Sequence, residues 1–243
     1  MSGLVSAASI PELRKRVIFT LLMLFVYRMG VQIPTPGING EALGAFFEKN
    51  ASTLFGMFNM FSGGALNRFS LFALNVIPYI SASIIVQLMG QIYEPWKAMK
   101  KEGESGRRKL TQYSRIGAVV LAIVQAGSIA AALQGQSAGA GIPVVYAPGP
   151  GFILTAIVAL TAGTIFLMWL GEHITERGIG NGISLIIFAG IVAVLPSTIA
   201  RLLGLAQQGQ MSAFALLFIA ALAVATVVFI VFMERAQRRV LVQ

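Results

Sequence analysis

The chain has no cysteine and a single histidine, His173. No disulfide framework and no thiolate metal site is available to it, and one imidazole cannot build a multi-histidine centre. Acidic residues are also scarce, with Asp and Glu together numbering 9 against 18 Lys and Arg. The apolar runs hold no carboxylate near their centres, where an ion-coupled transporter normally buries one. Glycine-rich phosphate loops, a dinucleotide fingerprint and an HExxH pair are missing. The GISL stretch at 182–185 lacks the second glycine of a GxSxG elbow, and no histidine is placed to serve Ser184. Catalysis is therefore not expected, and no cofactor or metal is expected with it.

Long apolar runs are abundant instead. Hydrophobic residues make up 56% of the 243 and charged ones 11%, and the mean hydropathy is +0.80, well outside the soluble range. The pattern predicts an all-α polytopic membrane protein with six spans: 17–33, 70–93, 116–133, 152–170, 179–195 and 213–233. Residues 6–16 open with a capping box, Ser9 as N-cap and Glu12 three residues on. The first run has no small-residue cleavage pattern and is expected to be retained as a helix that ends at Pro34 and Pro36. Arg28, near its far end, reads as an arginine snorkelling to the interface. The connection from about 36 to 55 is polar enough to lie outside the bilayer.

The net charge of +9 follows the gaps between spans. With the N-terminus cytoplasmic, that side receives residues 14–16, the loop 94–115, Arg177, Arg235, Arg238 and Arg239; the other receives only Arg28, Lys49, Arg68 and Arg201. The positive-inside rule thus predicts both residue 1 and residue 243 in the cytoplasm. This distribution favours topology, anionic lipid or acidic cytosolic partners over specific nucleic-acid binding. The basic loop 94–115 reads either as a topology determinant facing anionic lipid or as a docking site. The turn 171–182, with Glu172, His173, Glu176 and Arg177, reads as a tight interfacial turn with local ion pairing rather than a metal or proton-relay site. Gly163 with Gly171, and Gly182 with Gly190, suggest close helix packing, and the charge-free loop between the third and fourth spans reads as irregular.

One stretch departs from a clean span. Residues 70–90 are long and apolar enough to cross, but the preamble 57–69 is short, broken by Gly63-Gly64, and carries Asn59, Asn67 and Arg68. Irregular backbone is not tolerated against lipid, so this piece either lies at the interface or fills a protein-lined cavity. Val76 and Ile80 fall on one helix face, as core, lipid contact or pore lining. The in-span polar groups are neutral: Asn75, Ser81, Ser83, Gln87, Gln125, Thr161, Thr164 and Ser184.

The blocks FNMFSGGALNRFSLFALNVIPYISASIIVQL, KKEGESGRRKLTQYSR and FLMWLGEHITERGIGNGISLIIFAGIV resemble the SecY family, the channel subunits of the bacterial Sec preprotein translocase. The resemblance covers essentially the whole chain. It implies a protein-conducting channel of the plasma (inner) membrane made of two inverted five-helix halves, of which this chain holds residues 1–195 as the first half. Residues 196–243 would supply a hinge loop, the sixth of ten spans and the start of a cytoplasmic loop, so the chain is expected to be shortened.

Carried onto matching positions, the resemblance implies a plug, a short re-entrant half-helix, at 57–69, comprising Phe58, Asn59, Met60, Phe61, Ser62, Gly63, Gly64, Ala65, Leu66, Asn67 and Arg68. It implies a pore ring at Val76, Ile80 and Ile187, and a lateral gate of the second and third spans with Ser81, Ile84, Ile85 and Gln87. Contacts with a SecA motor or ribosome would fall on Lys100, Lys101, Arg107, Arg108, Lys109 and Arg177. SecE and SecG-type subunits, signal-sequence-bearing polypeptides and anionic lipids are the other implied partners. The alternative function is a secondary transporter with a discontinuous helix.

Overall fold

In the computed structural model the described residues are 11–50, 59, 62–137, 142–209 and 211–235, with Ala213 described by its backbone alone. The Ser9 cap and the plug positions Met57, Phe58, Met60 and Phe61 lie outside them. Eight α-helices are described: α1 Pro11–Gly30, α2 Gly40–Lys49, α3 Ile77–Ile92, α4 Glu94–Lys101, α5 Glu104–Gln134, α6 Pro150–Arg177, α7 Gly182–Gln207 and α8 Ala213–Arg235. Extended pairing among the described residues is confined to isolated bridges, Pro34 with Ser70, Ile38 with Val145 and Ser137 with Pro143.

Four helices are long and apolar enough to cross a membrane: α5, α6, α7 and, from Phe214, α8. α1 carries Arg14, Lys15, Arg16 and Arg28 within its length. α3 has 16 residues, which at the usual helical rise is about 24 Å, less than the hydrocarbon thickness. The single span expected over 70–93 is therefore two things, a chain of turns followed by a short helix. Pro78 opens that helix, where its missing N–H costs nothing.

The chain divides into two units, Met1–Val194 and Leu195–Gln243. In the first, α5 is the central beam. Ala118, Ala122, Ala126 and Ala130 recur every fourth residue and are fully buried, so other backbones approach α5 closely along one ridge. Ala82 of α3 meets this beam beside Gly117, at an ordinary van der Waals distance, and Ala118 and Met168 share its small apolar cluster. On the α6 side Ala156 and Leu160 join Ala122, Ala126 and Ala130 in one large core.

Three stretches expected to be loops are ordered otherwise. The connection 36–55 contains α2, capped by the Asn39 side chain on the Ala42 N–H at 3.2 Å, with Ala42, Leu43 and Phe47 buried in the large core. The basic stretch 94–115 is helical apart from its turn at Glu102–Gly103: α4 fills 94–101, and α5 starts at Glu104. Its Lys, Arg and Glu residues are good helix formers, and Gly103, at φ 76, makes the turn. The hinge loop expected from 196 is still α7, which continues through Pro196 to Gln207.

Two expectations about close approach agree with the contacts. A Cβ on Gly182 would collide with the carbonyl of Gly171, and one on Gly163 with the carbonyl of Leu71. The described part of the charge-free loop before α6 is irregular but not detached, since Val144 and Val145 are buried and the Asn39 N–H donates to the Val144 carbonyl at 2.9 Å. In the second unit, α8 is apolar apart from Thr226 until it ends at Glu234 and Arg235, and the Ser212 hydroxyl accepts the Ala215 N–H at its start.

Candidate functional site

The interrupted stretch is knotted on itself. Its described residues 62–69 run as consecutive turns, not as the regular half-helix expected. Asn59 organises them: its carbonyl accepts the Gly64 N–H at 3.0 Å and the Ser62 hydroxyl at 2.9 Å, and its side chain accepts the Asn67 N–H at 2.8 Å. The Ser62 hydroxyl in turn accepts the Leu66 N–H at 3.1 Å. Phe69 and Asn75 both have positive φ, 46° and 52°, a costly conformation for a buried bulky residue such as Phe69. Tertiary contacts hold them there. The Phe69 carbonyl accepts the Thr35 N–H at 2.9 Å, and the Leu71 N–H donates to Ile33 at 3.1 Å. The Asn75 side chain accepts the N–H of Val76 at 2.9 Å.

The expected ring residues come together. Val76 is fully buried in a cluster with Tyr27, Val31, Ala65, Phe72, Leu167, Leu170, Ile174 and Ile186, and the half-buried Ile80 and Ile187 pack against it. Val76 precedes α3 instead of lying on it. It still stacks with Ile80 because its carbonyl accepts the Ile80 N–H at 3.0 Å. Ala65, from the expected plug, belongs to the same cluster.

The plug residues divide by environment. Ser62, Gly63, Ala65 and Leu66 are buried, Asn59, Gly64 and Asn67 intermediate, and Arg68 exposed. Leu66 packs into the large core that also holds Phe47 and Phe69. Arg68 donates to the Gln32 side chain.

Among the expected gate residues, Ser81 is half-buried, while Ile84, Ile85 and Gln87 are exposed. All lie off the buried stripe of Pro78, Ala82, Val86 and Gly90 on α3. Gln87 donates to the Ser83 hydroxyl within the same helix at 3.2 Å.

The cationic positions Lys100, Lys101, Arg107, Arg108, Lys109 and Arg177 are all exposed. Two of them face local acids: Arg108 lies 3.9 Å from Glu104 and Lys109 3.5 Å from Glu102. A ring of aromatic residues lies next to them, Tyr93 against Trp96 at 6.2 Å and Trp96 stacked on Tyr113 at 5.3 Å, as at a membrane–water interface. The Glu172 expected in a local pair instead joins two helices, accepting from Arg115 of α5 at 2.6 Å. His173 lies on the ring of Trp169, centroids 4.3 Å apart.

Sequence reasoning missed Arg28. It is half-buried, and its guanidinium donates to the Gly63 carbonyl at 3.2 Å, so it points at the interrupted stretch rather than only toward the interface. A charge inside an apolar run was the available signal.

These features define a helical membrane protein in which an irregular segment, packed against apolar side chains, leads into a short apolar helix. The chain belongs to the SecY family, whose model matches residues 70–243. It is 51% identical to the protein translocase subunit SecY of Pseudomonas aeruginosa over 243 residues, covering 99% of this chain and 54% of that protein. To the subunit of the same name from Escherichia coli K12 it is 52% identical over 231 residues, covering 95% and 52%. The chain thus spans about half the length of the curated relatives it matches.

Among solved structures, Sec61 in a canine ribosome–channel complex superposes with a TM-score of 0.63 at 18% identity, over 100% of this chain and 54% of that one. A structure described as that of a protein-conducting channel gives 0.53 at 19%, over 78% and 41%. At these identities the structural likeness concerns the fold.

Proposed function

We propose that this chain forms the first half, and the start of the second, of a channel that conducts secretory polypeptides across the bacterial inner membrane and releases membrane proteins into it. One observation carries the reading: Ala65 of the interrupted segment and the ring candidates Val76, Ile80 and Ile187 converge on one apolar cluster. A polypeptide of any sequence needs a collar without fixed hydrogen-bonding partners, and a small apolar collar resists water and ions at rest. Residues 62–69 act as the plug beneath that collar. Residues 1–195 form the first half, with the N-terminus and residue 243 in the cytoplasm.

The remaining assignments follow the same reading. Ser81, Ile84, Ile85 and Gln87 line a lateral gate. Neutral hydrogen bonds of about 0.6–2 kcal/mol between membrane helices exchange readily for a signal helix, and Gln87 already satisfies itself on Ser83. Lys100, Lys101, Arg107, Arg108, Lys109 and Arg177 meet a SecA motor, a ribosome or anionic lipid, while SecE and SecG-type subunits complete the assembly. The test is resting ion conductance of the full-length channel in liposomes with Val76→Asp or Ile80→Asp. An ionised carboxylate among these apolar side chains draws water in, so conductance rises. Unchanged conductance in both removes the ring assignment. Saturable uptake of a small solute would favour the transporter reading instead.

A further inference from the structure

Segment 62–70 is held very differently at its two ends. At residues 69–71 backbone pairs with backbone: Phe69 accepts from Thr35 at 2.9 Å, and Leu71 donates to Ile33 at 3.1 Å. Pro34 bridges Ser70, and the Phe69 ring lies 6.2 Å from that of Phe152. At residues 62–64, among the described residues, the hydrogen bond to another helix comes from one side chain, Arg28 to the Gly63 carbonyl at 3.2 Å.

Beside that bond two backbones touch. A Cβ built on Gly63 would stand 2.8 Å from the Cα of Gly190, and one built on Gly190 would stand 3.0 Å from the Tyr27 hydroxyl. Gly63 has φ 65, so no other residue type sits there without strain. The Tyr27 hydroxyl is buried and has no hydrogen-bond partner among the described residues.

We propose that Arg28 is a positioning residue that latches the 62–64 end of the plug against α7 at Gly190, while residues 69–71 form the hinge about which the plug swings. The proposal rests on the plug reading above. Because the segment carries its own hydrogen bonds around Asn59, release at the 62–64 end needs the loss of the Arg28 bond and of a contact between two glycines, beside the apolar contacts of Ala65 and Leu66 and the Arg68 bond further along. Tyr27 and Gly190 shape the seat; neither anchors the plug by a bond of its own.

The test uses a full-length channel freed of any other cysteine, with its partner subunits in liposomes, and an Ala65→Cys thiol as the reporter. Ala65 is fully buried, so a membrane-impermeant maleimide supplied on both sides reacts slowly while the plug is seated. Removing a hydrogen bond to a charged group should speed labelling about tenfold or more in Arg28→Met. Arg28→Lys, which keeps a donor, should stay within about threefold of the parent. Gly190→Ala should also accelerate labelling, by pushing on Tyr27 and Gly63. Gly182→Ala, which crowds Gly171 and not the plug, should lower thermal stability without accelerating labelling, separating a loosened bundle from a released latch.

Parent-like labelling in Arg28→Met overturns the latch. So does acceleration by Gly182→Ala as large as by Arg28→Met. Failure of the plug reading looks different: a polypeptide in transit would leave labelling of the otherwise unaltered Ala65→Cys channel unchanged.

Discussion

Replacing Gly163 by alanine tests how the interrupted span is seated. Inside a helix Gly→Ala ordinarily stabilises by about 1 kcal/mol. Here the new Cβ would strike the carbonyl oxygen of Leu71 and stand 3.2 Å from the Phe72 ring. The obstacle is backbone, and it cannot slide away: Leu71 is bonded to Ile33, and the Phe72 N–H donates to the Ser70 hydroxyl. Overpacking of this kind costs about 1–3 kcal/mol and more when backbone must move, so the expected net loss is about 1–2 kcal/mol.

Gly127→Ala is the internal reference, because its Cβ would meet only the Ile157 side chain at an ordinary 3.4 Å, leaving the propensity gain intact. Thermal unfolding of the purified protein in detergent should place Gly163→Ala about 2–8 °C below the parent and Gly127→Ala level with it or slightly above. Resting conductance should rise with Gly163→Ala as well, since Leu71 and Phe72 lead directly into Val76. A Gly163→Ala protein as stable as the Gly127→Ala one would refute the contact. The placement of Val76 at the collar would fall with it.

Other expectations concern the gate and the cytoplasmic side. A photocrosslinker at Ser81 or Ile85 should capture an arriving signal sequence; silence at both positions, with transport intact, removes them from the gate. Reversing Lys100, Lys101 and Arg107 to glutamate should weaken binding of a motor or of anionic vesicles by about 1 kcal/mol per charge at low salt, with resting conductance unaltered. Salt-independent binding would argue against charge as its basis. Arg115→Gln should cost no more than about 1 kcal/mol of stability, because its pair with Glu172 is still partly exposed. A melting shift several times larger would mean that this pair is shielded in the assembled membrane.

The long spans were legible because a helix apolar enough for lipid has few other readings, and α5 to α8 overlap the four runs hydropathy picks out, although α5 begins well before 116 and α7 ends well after 195. What hydropathy does not encode is backbone φ. Residues 70–76 are apolar enough to continue a helix, yet Phe69 and Asn75 take positive φ, and the helix starts only at Ile77. α2 was hidden for a different reason. Its mean polarity suits a loop, while the pattern that buries Ala42, Leu43 and Phe47 emerges only at helical period. Arg28 was visible as a costly charge, but its acceptor is a main-chain carbonyl 35 positions away, and no side-chain pattern advertises a carbonyl. The ring was a matter of resemblance. Its members come from α7 and from both sides of the α3 boundary, and only the fold brings Ile187 to Val76 and Ile80.

An irregular segment in a membrane protein must satisfy its backbone wherever it sits, which limits what can move. A regular transmembrane helix meets that demand alone but cannot be withdrawn sideways from a bundle without exposing a long packed face. Segment 62–69 meets it with local partners. Gly64, Ala65, Leu66, Asn67 and Phe69 all donate their N–H groups to acceptors between Asn59 and Leu66, so those bonds travel with the segment when it moves. What it gives up is apolar contact at Ala65 and Leu66 and the side-chain bonds of Arg28 and Arg68. Losses of that kind are the sort an incoming apolar polypeptide can replace. On the plug reading, the same small and polar residues that make this stretch look unfit to span the membrane are what would let it be a removable part of one.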